Sequence, residues 1–161
     1  MSVRPVLLWP DPRLSQVCAP VDGPVAGLVD DLFDTMYAAK GRGLAAPQIG
    51  VLARVFVVDV TWKEAAPTPL AFINPEIVSS SAETSVMEEQ CLSIPDLPMA
   101  VSRPETVTLR WDTAEGTRRE ETFSGALARC IQHEQDHLDG RVIFDHQSPE
   151  RRAELEAAYA G

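Results

Sequence analysis

Residues 132–140, QHEQDHLDG, set His133 and His137 four positions apart with Glu134 between them, and Gly140 closes the stretch. At 3.6 residues per turn, positions four apart lie on one face of a helix, so both imidazoles address one point, while Glu134, turned about 100° away, reaches the open side of whatever they hold. The residue types suit one chemistry. Neutral imidazoles bind a borderline metal, the metal acidifies water, and a carboxylate takes and returns the proton. A chance HExxH on a surface helix is the bland alternative. Against it stand Ala126, Leu127, Cys130 and Ile131, which make the preceding turns apolar. Unliganded histidines there would need buried partners.

Working outward from that helix, SGALARCIQHEQDHLDG keeps a helical period with Ser124 as its cap, and SPERRAELEAAYA follows as a last short helix with Ser148 as cap and Pro149 at its first position. Upstream, PVAGLVDDLFDTMYAAKG is amphipathic: Pro24 suits the first turn, Leu28, Leu32, Phe33, Met36 and Tyr37 share a face, and Gly41 ends it. RVFVVDV and LAFINPEIV are β-branched and read as strands, and TVTLRWDTAEGTRREETF reads as a hairpin turning near Gly116. The expected class is α+β, mostly antiparallel strands around a central HExxH helix, in a single domain over residues 1–161.

Composition narrows the partners. A chain of 161 residues, 45% hydrophobic and 24% charged, is the size and balance of one domain with a proper core. Its formal charge of -10 argues against a general nucleic-acid or anionic-membrane binder, which needs a basic face. No apolar run approaches the ~20 residues of a membrane span. Cys18, Cys91 and Cys130 are an odd, irregularly spaced set, and the early run VLLW is short and closed by Pro10 and Pro12, so a reducing, cytoplasmic setting with thiols free for metal is expected.

The third metal ligand decides the class of hydrolase. His146, nine residues after His137, misses the position where an HExxHxxGxxH pattern puts its third histidine, and position 143 is Ile. Glu154 and Glu156 on the last helix sit in no ligand motif. Cys130 shares the helix face but lies seven residues, roughly 10.5 Å of rise, from His137, and reads as a small buried hydrophobe. Cys91, in EEQCLSIP, remains. One thiolate and two imidazoles leave a position open for water.

GRGLAAPQIG at 41–50, EEQCLSIP at 88–95 and QHEQDHLDG at 132–140 together resemble the three motifs of the peptide deformylase family in order and spacing, and WPDPRL and FINPEI extend the likeness over nearly the whole chain. The resemblance implies a monomeric enzyme holding one divalent metal, Fe2+ in the cell and replaceable by Zn2+ or Ni2+. It implies Cys91, His133 and His137 as ligands and Glu134 as the acid/base that removes formyl from the N-terminus of newly made proteins, with N-formylated nascent peptide as substrate and the ribosome as a potential neighbour. Gln48 and the backbone N–H of Leu92 then donate to the developing oxyanion, and Gly43 and Gly50 let their loop approach closely. An ion pair between Glu89 and Arg103 is expected to steady the Cys91 loop.

This chain also departs from the family pattern. Gln90 stands where a glycine is usual, Arg42 where the glycine loop carries an aliphatic residue, and Ala126 and Arg129 where large aliphatics precede the first histidine. Arg42, Gly43, Gln90, Ala126, Arg129 and Cys130 are therefore the candidate pocket residues. A guanidinium at 129 on the ligand face would favour a polar or acidic first side chain over methionine; the alternative is that Arg129 leans out past Ala126 and pairs with Glu88 or Glu89, leaving the pocket apolar. Two rivals to plain deformylation follow: an amidase of altered specificity, and a catalytically weak metal-holding or ribosome-associated binding protein, which would need neither Glu134 nor Gln48.

Overall fold

Strand β2 (Val55–Val58), preceded by helix α1 (Ala26–Ala38) and the short strand β1 (Gly43–Ala45), is buried along its whole length. In the computed structural model, which describes residues 2–160, Phe56 and Val58 pack on one face of the sheet with Ala128, Ile131 and Leu138, while Val55 and Val57 pack on the other with Val29, Leu32 and Met36 of α1. A strand covered on both faces reads as a continuous apolar run, which is why RVFVVDV lacks alternation. Each fully buried large side chain in these layers contributes about 1.5–3 kcal/mol.

The remaining elements are β3 (Leu70–Ser80), β4 (Thr84–Cys91), β5 (Ile94–Pro104), β6 (Thr106–Asp112), β7 (Arg118–Ser124), α2 (Gly125–Leu138) and α3 (Pro149–Ala160). All strand pairs are antiparallel. Five strands form one sheet in the order β1-β2-β3-β6-β7, and β4 and β5 form a separate ribbon. Mixed helix and antiparallel sheet is the expected α+β class. Phe56, Phe72, Trp111 and Phe123 stack and tilt against one another at 4.8–5.9 Å beneath α2. The ribbon packs elsewhere: Cys91, Ile94, Met99 and Val101 meet Val142, Ile143, Phe144 and Leu155.

The expected helices and the β6–β7 hairpin form where the sequence puts them, and Gly116 takes φ 87° in the turn. Two details differ. Helix α1 ends at Ala38, and the turn beyond it puts Lys40 in the left-handed conformation at φ 60°, while Gly41 follows and donates its N–H to the Met36 carbonyl. A Cβ at Gly41 would meet Leu92 Cδ1 at 2.7 Å, so a larger residue there would have to displace the Leu92 side chain. Ser124 stands at the N-cap of α2 but makes no cap bond, its hydroxyl lying 3.1 Å from Thr106 Oγ1 instead.

On α2, Ala128, Ile131 and Leu138 face the sheet. His133 and His137 lie on the opposite side, toward the Cys91 end of the ribbon. The metal-binding face is thus left for the ribbon to cover.

Candidate active site

Cys91, His133 and His137 converge: one ligand atom from each lies within 4.8 Å of the others, and all three residues are buried. Cys91 Sγ and His137 Nε2 are 3.5 Å apart. Two ligands at ordinary Zn–S and Zn–N lengths in a tetrahedral site are separated by roughly 3.3–3.6 Å, so this spacing suits a shared cation. Burial resists ionisation of the Cys91 thiol, but the facing His137 and His133 outweigh it and lower its pKa to about 5. Cys91 is therefore a thiolate at neutral pH, the form that binds metal. His133 points its other nitrogen at Glu89, with Nδ1 2.9 Å from Oε1, which fixes the ring and leaves Nε2 for the cation.

Glu134 is buried beside them, and among the described residues its Oε1 has no hydrogen-bond partner. A buried carboxylate oxygen without a donor is costly unless something else is to bind there. Burial raises its pKa above the usual carboxylate range, against the lowering charges of His133 and His137. A carboxylate with elevated proton affinity suits a base that must also return its proton. Gly43 lies against it: a Cβ at 43 would stand 2.6 Å from Glu134 Oε2 and 2.8 Å from Cys130 Sγ, so only glycine lets β1 come this close.

Gln48, on the 3-10 turn Ala46–Ile49 that Gly50 closes at φ 85°, is almost fully buried and oriented at both ends. Its Oε1 accepts from the Ala45 N–H at 2.9 Å, and its Nε2 donates to Ser93 Oγ at 3.0 Å. The second amide hydrogen faces Cys91 Sγ at 3.8 Å, near the limit for N–H···S. That hydrogen is only weakly engaged and is available to a stronger acceptor placed beside Cys91. Leu92 lies in the tight turn between Cys91 and Ile94, at the mouth of the same site.

The expected Glu89–Arg103 pair is present and buried, with Arg103 Nε and Nη2 donating to the two Glu89 oxygens at 2.6 and 2.9 Å. Burial would raise the Glu89 pKa, yet hydrogen bonds from His133 and Arg103 and the Arg103 charge hold it well below the carboxylate range. Arg103 continues to Asp136 Oδ2 at 3.0 Å, and His146 Nε2 lies 2.7 Å from the same oxygen. The third histidine therefore sits behind the site.

A cavity of about 890 Å3 opens in front of these groups, and Arg42, Gly43, Gln90, Ala126, Arg129 and Cys130 all line it. The two arginines do not present free charge there. Arg42 pairs with Glu64 at the exposed rim, and Arg129 is turned into the wall, donating to Glu89, Ser85 and the Val101 carbonyl. Of the two readings of Arg129, a guanidinium free in the pocket gives way to one paired with Glu89, because Glu89 and two strand carbonyl groups lie within reach of its fork.

Comparison with known proteins places this geometry. A family model described as Polypeptide deformylase matches residues 3–153. The chain belongs to the polypeptide deformylase family. A peptide deformylase from Rhizobium meliloti (strain 1021) is 46% identical over 155 residues, covering 94% of this chain and 89% of that one. The crystal structure of a peptide deformylase from Legionella pneumophila superposes with a TM-score of 0.91 at 40% identity, covering 99% and 94% of the two chains. One from Ehrlichia chaffeensis, in complex with actinonin, superposes at 0.89 with 36% identity over 99% and 98%.

Within this deformylase-family chain the sequence motifs meet as their spacing suggested, and two contributors were not foreseen. Ser93 aims the Gln48 amide, and Asp136 with His146 extends the Glu89–Arg103 pair. Asp136 had a signal: it lies three positions after His133 and one before His137, on a flank of the helix that must meet whatever covers the ligands. Ser93 had none beyond its place in CLSIP.

Proposed function

We infer that this chain is a metal-dependent hydrolase that removes the formyl group from the N-terminal methionine of newly synthesised proteins, releasing formate. The observation that carries this reading is the junction of a thiolate–imidazole–imidazole cluster with a buried, unpartnered Glu134 oxygen and an oriented Gln48 amide in one cavity of a deformylase-family chain. Cys91, His133 and His137 are the residues that would hold the metal, which we take as Fe2+ in the cell and replaceable by Zn2+ or Ni2+. When bound, the metal supplies Lewis acidity, acidifying water and drawing charge from the formyl oxygen.

The chain's own residues then divide the work. Glu134 takes the proton of the attacking water through its free Oε1 and later delivers it to the departing amine, a transfer helped by its raised pKa. Gln48, kept from rotating away by Ser93 and the Ala45 N–H, presents its second amide hydrogen to the formyl oxygen as negative charge develops, and the Leu92 N–H supplies a second donor. Gly43 keeps the loop clear of Glu134.

The peptide's first side chain enters the cavity past Ala126 and Cys130. With Arg42 paired to Glu64 and Arg129 anchored in the wall, neither arginine offers an uncommitted charge to an acidic side chain, so methionine is the expected first residue. A single monomeric domain acting in the cytoplasm on nascent chains near the ribosome belongs to the same reading. Among the described residues, no helix is long and apolar enough to cross a membrane.

The test is formate release by iron-loaded protein from formyl-Met and formyl-Glu peptides. Faster turnover of formyl-Met is expected. A preference for formyl-Glu would move the reading to an amidase of altered specificity, and no hydrolysis of either would move it to a metal-holding binder. Gln48→Ala is expected to lower kcat/KM by about 3 kcal/mol of transition-state stabilisation, the scale of one oxyanion donor, with metal content unchanged.

A further inference from the structure

Arg129 occupies a wall of the substrate cavity, yet its contacts all point away from substrate. Its Nη1 donates to Glu89 Oε2 at 2.5 Å and to the Val101 carbonyl at 3.0 Å, and its Nη2 donates to the Ser85 carbonyl at 2.9 Å and Ser85 Oγ at 3.1 Å. A guanidinium has four hydrogens on its two terminal nitrogens, and here four acceptors meet them. The side chain is 12% exposed.

Three elements are joined by those bonds. Arg129 belongs to α2, with His133 and His137; Ser85 and Glu89 belong to β4, with Cys91; Val101 belongs to β5. Charge balance makes the same connection. Arg103, Arg129, Glu89 and Asp136 form a group of two cations and two anions behind the ligands. Without Arg129, two enclosed carboxylates would share one guanidinium beside a thiolate, and Glu89 Oε2 would lose one of its two donors. That same carboxylate holds His133 through its other oxygen.

We propose that Arg129 is a positioning residue for the metal centre: it fastens the ribbon that carries Cys91 to the helix that carries His133 and His137, and it fixes the Glu89 carboxylate that orients His133. The proposal rests on the ligand assignment above but not on the identity of the substrate. Lysine carries its three donors on one nitrogen at the end of a flexible stem and lacks the two terminal nitrogens that meet Glu89 and Val101 on one side and Ser85 on the other, so charge alone does not replace the fork.

The experiment compares cobalt-loaded parent, Arg129→Met and Arg129→Lys proteins, reading the thiolate-to-cobalt charge-transfer band, the rate of cobalt release to a chelator, and the unfolding midpoint. Release from Arg129→Met is expected to be ~10–100-fold faster, the usual effect of losing a group that orients a ligand, with an altered charge-transfer band. Arg129→Lys should recover part of the difference. The ranking of formyl-Met over formyl-Glu peptides should stay that of the parent. A parent-like release rate and band in Arg129→Met overturn the proposal, whatever the unfolding midpoint does, because a purely structural role moves only the midpoint. Unchanged cobalt retention with a reversed substrate ranking overturns it in favour of a specificity role. Should Arg129→Met fail to fold, Arg129→Lys alone decides, and release at the parent rate overturns the proposal. Parent protein that binds cobalt but hydrolyses no formyl peptide would defeat the deformylase reading and leave these cobalt readouts intact.

Discussion

Helix α2 sets His133, Glu134 and His137 by its own repeat, whereas the β4–β5 ribbon sets Cys91 only through what it bonds to elsewhere in the chain. The helix carries its geometry locally: a turn of 5.4 Å and a 100° step fix how two imidazoles and a carboxylate stand to one another before any tertiary contact forms. Among the described residues the ribbon pairs with no other strand, and its position depends on Val142, Ile143, Phe144 and Leu155 below it, on its own Arg103 reaching Asp136 of α2, and on Arg129 of α2. One metal site is thus built from a locally encoded half and a long-range half. Substitutions on the two halves are expected to fail in different ways.

Breaking the ribbon's own ligand has the largest effect. Cys91→Ser is expected to lose metal, and with it all measurable formate release, while Cys130→Ser, on the helix, keeps a full equivalent by metal analysis. Metal retained in Cys91→Ser but lost in Cys130→Ser would mean that the thiol ligand comes from the helix, and the two-part account of the centre would fall.

Next in size is a change on the helix that leaves the ligands alone. Glu134→Gln keeps the shape of the side chain and is expected to bind metal normally, yet to lose ~10²–10⁴-fold in kcat, the range of a general acid–base group. Metal content and kcat measured on one preparation separate the two functions of α2. Unchanged turnover would assign the proton transfer to another residue.

The unequal legibility of the two regions follows from the same physics. The helical period around QHEQDHLDG, the caps at Ser148 and Pro149 and the turn at Gly116 are short-range signals, and each marks the element it should. The ribbon carries Pro95, Pro98 and Pro104, residues that argue against a strand because they cannot donate to a ladder. It is tolerated here because β5 has β4 on one side only. Within β4, Glu89 and Cys91 are buried and Gln90 between them is exposed, an alternation that the motif EEQC contains but does not announce. Helix angles alone could not decide between a free Arg129 and one paired with Glu89. Those angles put it on the ligand face, but its acceptors lie 28 to 44 residues away in sequence.

Arg103→Met tests the long-range half without touching a ligand. Arg103 is 3% exposed and serves both Glu89 and Asp136, so its removal leaves two enclosed carboxylates short of a partner. Loss of one member of such a buried pair costs about 3–5 kcal/mol. Chemical denaturation of the metal-free protein should register that cost, and a change under about 1 kcal/mol would show that the ribbon is held mainly by its apolar face.

The smallest effect is the pH dependence that these carboxylates confer, and its sign follows from their folded-state shifts. Burial pushes both Glu89 and Asp136 upward, but His133 and Arg103 on the first, and His146 and Arg103 on the second, hold both below their ordinary values. A carboxylate whose pKa is lowered by folding binds protons more readily in the unfolded chain. Its contribution is fully present above the unfolded values near 4 and drains away as pH falls through the depressed folded values. Metal-free protein should therefore lose stability progressively below about pH 4.5. Asp136→Asn removes one of the two groups, so its stability should fall less steeply over the same acid range while starting lower at neutral pH. Denaturation midpoints taken every half unit between about pH 3 and 6 compare the slopes directly. Equal slopes in the parent and Asp136→Asn would mean that Asp136 keeps its ordinary proton affinity in the folded chain. The fastening of ribbon to helix would then rest on Glu89 and its two arginines alone.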